Sequence, residues 1–100
     1  MPISITVDSV TGTITVAPTP ASFKGGDIVQ WSVLGGGCTG LTISFTHGTP
    51  FSTPQLSASS GAVEGGILPG AASVGYGYTV SAVVGGKLYV TPMEPEIIVM

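Results

Sequence analysis

The chain has 100 residues, a length that suits one domain built around one hydrophobic core. Charged residues make up 7% of it, against roughly 25% in an average protein, and its formal net charge is −3. With Lys24 and Lys87 as the only basic residues, it cannot neutralise a run of phosphates, which argues against nucleic acid as a partner. Its apolar residues never form a run of about 18, so no membrane-spanning segment is predicted.

The beginning of the chain shows no export signal. Residues 1–6 have neither the basic start nor the apolar stretch of a signal peptide. The single cysteine, Cys38, excludes an internal disulfide but does not identify a compartment. The localisation therefore stays open between the cytoplasm and a mature or trimmed exported form.

Glycine and proline interrupt the sequence so often that no helix is expected. Alternating and β-branched runs predict strands over residues 3–7, 13–16, 28–33, 41–45, 62–64, 76–84, 87–90 and 96–100. Loops are predicted at 35–40, 47–61 and 65–75. The chain is therefore interpreted as one all-β domain over residues 1–100, a Greek-key β-sandwich of seven or eight strands.

The run over residues 28–33 is the strongest of the predicted strands. Side chains alternate across a strand, so Val29, Trp31 and Val33 share one face, while Ile28 and Gln30 share the other. The apolar face that carries Trp31 is predicted to face the core.

Several segments resemble the cupredoxin family of β-sandwiches. Residues 24–31, KGGDIVQW, are similar to that family's KxGDxVxW strand, and residues 14–18 precede it in the same order. Residues 75–80 resemble its GxYxY strand, and residues 94–99 resemble a closing strand of such domains. The resemblance implies a cupredoxin-like sandwich, with an immunoglobulin-like sandwich as the alternative.

The ligands of a blue copper site are missing from this chain. Such a site takes two His, one Cys thiolate and a weak axial ligand such as Met. The chain has one His, and where the family places its Cys it has Ser81 and Ala82. Met93 remains as an axial candidate but is not spaced as expected. No metal and no cofactor are therefore predicted.

Catalytic and other ligand-binding constellations are weak. Cys38 and His47 are far apart along an extended chain, so they meet only if loops return them to each other. His47 lacks a Gly-x-Ser-x-Gly nucleophile partner. Asp27 is expected to cap its own turn rather than bind calcium. The chain is predicted not to be an enzyme.

Two functional hypotheses remain. The first is a non-catalytic structural or interaction module that self-associates or docks on a protein partner, because so few charges protect its surface. Its contacts are expected at an uncharged sheet face or at the terminal strands, residues 3–7 and 96–100, which are expected to lie at sheet edges. The second is a carbohydrate or small-ligand module, with Tyr76, Tyr78 and His47 as its candidate surface. Tyr76 and Tyr78 share one face of a predicted strand and could stack against a sugar, whereas Trp31 could join them but is expected in the core.

We expect that added Cu(II) produces no intense blue-copper absorption, because one His and one Cys cannot complete the ligand set. Visible absorption spectroscopy of a Cu(II) titration checks this. A strong thiolate-to-copper charge-transfer band would contradict it.

Overall fold

The computed structural model describes residues 2–100, and these contain eleven strands and no helix. The strands are β1 (Pro2–Asp8), β2 (Thr13–Ala17), β3 (Ala21–Phe23), β4 (Ile28–Val33), β5 (Cys38–Ser44), β6 (Gln55–Ala58), β7 (Ala62–Gly66), β8 (Gly75–Gly77), β9 (Thr79–Val84), β10 (Lys87–Val90) and β11 (Glu96–Val99). The all-β sandwich is confirmed. Residues 2–100 contain no helix that is long and apolar enough to cross a membrane.

The strands form three sheets packed around one core. The first sheet has the order β2-β1-β4-β7, the second β10-β9-β5-β6 and the third β3-β11-β8. The chain passes from the third sheet into the second with only Tyr78 between β8 and β9. Buried side chains from all three sheets contribute to the same apolar cluster.

Both terminal strands lie inside their sheets, so the expectation that they form edges is wrong. The first strand, β1, lies between β2 and β4 and pairs with β4 in parallel. The last strand, β11, lies between β3 and β8 and pairs with β3 in parallel. Each parallel pair joins segments distant in sequence, and this inserts the end of the chain into the middle of a sheet.

More strands form than the seven or eight expected, because short strands occupy segments that the sequence suggested were connections. The predicted irregular segment 47–61 contains β6, which pairs with β5 from Leu41 to Ser44. The predicted single strand 76–84 divides at Tyr78 and supplies two sheets. Strand β3 has only three residues, too few to show a period of alternation.

Trp31 is buried, as the alternation over residues 28–33 predicts. Its ring contacts Phe51 and Tyr78 edge-on, with centroids 5.8 and 5.7 Å apart. Phe45 completes a closed set of four rings, at 5.5 Å from Phe51 and 5.3 Å from Tyr78. This aromatic cluster (Trp31, Phe45, Phe51 and Tyr78) joins β4 of the first sheet to the end of β5 and to the β8–β9 junction.

Trp31→Ala is expected to lower the free energy of unfolding by roughly 3–5 kcal/mol, because it opens a cavity against the rings of Phe51 and Tyr78. Ile28→Ala on the outer face of the same strand is the control, with an expected loss of about 1 kcal/mol or less. Urea denaturation measures both. Equal losses in the two variants would contradict the central role of Trp31.

Candidate functional site

The structure separates the three residues predicted as a ligand surface. Tyr78 is buried in the aromatic cluster and presents no surface. Tyr76 is half-buried in β8, and its hydroxyl donates a hydrogen bond to the Ala72 carbonyl at 3.0 Å. His47 is exposed in the β5–β6 connection. Two shallow grooves are present elsewhere, and neither is lined by any of these three residues.

Tyr78 has an unusual environment for a phenol. Its hydroxyl and Nε1 of Trp31 are both buried, and neither has a hydrogen-bond partner in the part of the chain described. Burial disfavours the charged phenolate and raises the pKa of Tyr78 to about 12, an effect that the adjacent Trp31 side chain only partly opposes. The Trp31 and Tyr78 side chains therefore contribute to core packing, while their polar atoms have no hydrogen-bond partner.

The remaining candidate residues do not form a reactive group. Cys38 begins β5 and His47 follows its end, so roughly 20 Å of strand separates them. The Cys38 thiol donates to the Gly40 carbonyl at 3.3 Å. Asp27 accepts a hydrogen bond from the Lys24 amide at 2.9 Å, the turn cap that its position predicts. Across residues 2–100, no three His, Cys, Asp or Glu side chains cluster closely enough to hold a metal ion.

The outer face of the second sheet is the most distinctive surface of the molecule. Burial alternates along β5 and β9, so Leu41, Ile43, Val80 and Ala82 point inward and their neighbours point outward. Strand pairing places no charged residue on the outward face, which is made of Gly40, Thr42, Ser44, Gln55, Ser57, Thr79, Ser81, Val83, Leu88 and Val90. We call this set the uncharged face.

One corner of the uncharged face is apolar. Leu88 is 62% exposed and Val90 is 48% exposed, and Leu88 is paired with Val83 across the β9–β10 hairpin. The nearest cation, Lys87, lies on the other side of the strand with its ammonium 5.5 Å from the Tyr89 ring centre. Aliphatic side chains thus lie exposed on an uncharged surface.

The outer face of the first sheet differs in charge. Asp8 is exposed at the end of β1, and hydrogen bonds from the Val10 and then the Thr11 amides lower the pKa of its carboxyl group. On β7, Glu64 accepts a hydrogen bond from the Gln30 amide at 3.1 Å. This sheet therefore carries two carboxylates on its outer face, whereas the second sheet carries none.

Sequence reasoning named neither Leu88 nor Val90. The sequence of β10 is KLYV, in which three successive residues are apolar, so alternation alone cannot say which side is buried. Tyr89 is the residue that turns inward, and its two neighbours therefore turn outward. The low charge of the chain was the available signal, but it did not locate a face.

Comparison with protein-family models finds no match to this chain, and comparison with curated proteins finds none either.

Tyr78→Phe is expected to remove part of the loss of stability that the wild type undergoes at alkaline pH. The folded state favours the protonated phenol over the phenolate. The wild type therefore keeps its full stability below pH 10, and ionisation of Tyr78 progressively removes stability as the pH rises through about 12. The difference between a pKa of 10.0 and one of about 12 corresponds to about 3 kcal/mol.

Denaturant unfolding of both proteins from pH 7 to pH 12 measures this effect. Groups other than Tyr78 titrate in both proteins, so the difference between the two curves isolates Tyr78. Parallel curves for the wild type and the variant would contradict a buried phenol with a raised pKa.

Proposed function

We propose that this chain is a non-catalytic structural module that associates with further copies of itself through the uncharged face. The observation that supports this most directly is the exposure of Leu88 and Val90 on a sheet face without charge. An exposed apolar patch bordered by Ser and Thr is typical of a surface that is covered in the working state of a protein.

Charge favours a second copy as the occupant of this face. The chain has a net charge of −3, so two copies repel each other wherever their carboxylates approach. On the first sheet, a face-to-face contact would have to accommodate the carboxylates of Asp8 and Glu64 from both copies. On the uncharged face no like charges meet, and no charged group has to lose its water. A two-fold contact between two uncharged faces is therefore the arrangement with the smallest electrostatic cost.

The scaffold is proposed to be a cupredoxin-like sandwich without its metal chemistry. The parallel pairing of β1 with β4 in the middle of the first sheet supports this over the immunoglobulin-like alternative, whose two sheets are antiparallel. With copper ligands missing from the sequence, the scaffold serves in this proposal only to display surfaces.

The carbohydrate hypothesis loses its main support, so no second function is proposed. It depended on Tyr76 and Tyr78 as a stacking platform, and Tyr78 has no exposed ring face. Trp31, the other large aromatic candidate, is buried beside it.

Leu88→Lys is expected to weaken self-association, because it places like charges against each other in the contact and removes an aliphatic side chain. The substitution changes the net charge from −3 towards −2, so the weaker association cannot come from greater overall repulsion. Sedimentation velocity over a micromolar to millimolar concentration series measures the effect.

Ile28→Lys is the matched control, because Ile28 is also 62% exposed but lies on the outer face of the first sheet. It is expected to leave association through the uncharged face unchanged. A wild type that stays monomeric at millimolar concentration would overturn the proposal, as would equal effects of the two substitutions.

A further inference from the structure

Strand β2 is an edge strand whose own residues carry none of the usual protection, although Pro18 follows it directly. Edge strands expose unpaired N–H and C=O groups, and charges or prolines commonly block them. The β7 edge carries Glu64, the β10 edge carries Lys87, and the carboxylates of Glu94 and Glu96 lie over the glycines of β8. The other two edge strands without a charge are shorter, since β3 has three residues and β6 has four, and a very short edge strand offers a partner few hydrogen bonds. The five residues of β2 include no charge and no proline.

The residue pattern of β2 is nearly symmetric about Thr15. Ile14 and Val16 flank it and point inward, and Thr13 and Ala17 flank these in turn and point outward. An antiparallel two-fold contact places each residue opposite the one at the same distance on the other side of the centre, so a symmetric pattern pairs residues of the same kind. Paired about Thr15, Ile14 of one copy meets Val16 of the other, and the two Thr15 side chains meet each other.

A groove runs beside this edge. It has a volume of about 360 Å³ and lies between β2 and residues 91–95, the segment that follows β10. Ile14 and Val16 contribute apolar lining, and Met93 at the rim is 81% exposed. A strand added to β2 would place its own inward-pointing aliphatic side chains over this apolar lining, as in recognition by strand addition.

We propose that β2 pairs antiparallel with β2 of a second copy, centred on Thr15, so that two first sheets form one continuous sheet. The proposal rests on the self-association argued above but uses a different surface. The uncharged sequence of β2 favours a second copy over a charged peptide as the added strand, because β2 has no charged side chain that could pair with a charge on the peptide. Together, an edge contact and a face contact give each copy two interfaces.

The test uses charge exchange at the proposed two-fold axis, in the Leu88→Lys background that weakens the face contact. In this background the protein is expected to form dimers through β2. Adding Thr15→Lys or Thr15→Glu should weaken the dimer by roughly tenfold or more, because like charges then lie opposite each other. Mixing the Lys and Glu variants should restore dimers, and this restoration excludes misfolding as the cause of the loss.

Thr6→Lys is the matched control, because Thr6 is exposed on the same face and is paired with Thr15 one strand further from the edge. It should leave the β2 dimer intact. The β2 proposal is overturned if Leu88→Lys alone is monomeric, a result that is still compatible with the face contact. It is also overturned if the Lys and Glu variants do not recover dimers when they are mixed. If Thr15→Lys alone makes the protein monomeric, the face contact is overturned instead.

Discussion

The structure depends on the aromatic cluster around Trp31. Four rings from β4, the β5–β6 connection and the β8–β9 junction meet edge-on or tilted, and so join the first sheet to the other two. The arrangement has a cost, because the Trp31 indole N–H and the Tyr78 hydroxyl are buried and lack partners among the described residues. A buried unpaired polar group costs about 1–3 kcal/mol, which the large apolar area of these rings must offset. A domain with so little charge relies on such packing, because surface ion pairs contribute little to its stability.

The sequence was informative where one strand face is apolar and the other is polar. The alternation in β1, β2 and β4 indicated both their existence and their buried sides, and Trp31 followed from it. It gave no sign of β3, which is very short, and in β10 it indicated the strand but not its buried side, because apolar residues follow one another there. The position of β1 between β2 and β4 depends on a parallel pairing between distant segments, and no local pattern encodes that.

The candidate surfaces illustrate the same limit. Low charge could be counted in the sequence, but its effect depends on where the few charges lie. Turns and strand ends carry most of them, including Asp8, Lys24 and Asp27, and this leaves one whole sheet face without any. Tyr76 and Tyr78 were expected to share a face because they are two residues apart. The chain instead passes from the third sheet to the second at Tyr78, and the side chain is drawn into the core there.

The interior position of the terminal strands has a consequence for how the chain can be shortened. Tolerance to truncation depends on the burial and hydrogen bonding of the backbone that is removed. Strand β11 is the only link between β3 and β8, and its Ile97 and Val99 side chains are buried. Removing the last five residues would therefore not trim an edge but would divide the third sheet into two unpaired strands. Strand β11 therefore cannot be cut back without dismantling that sheet.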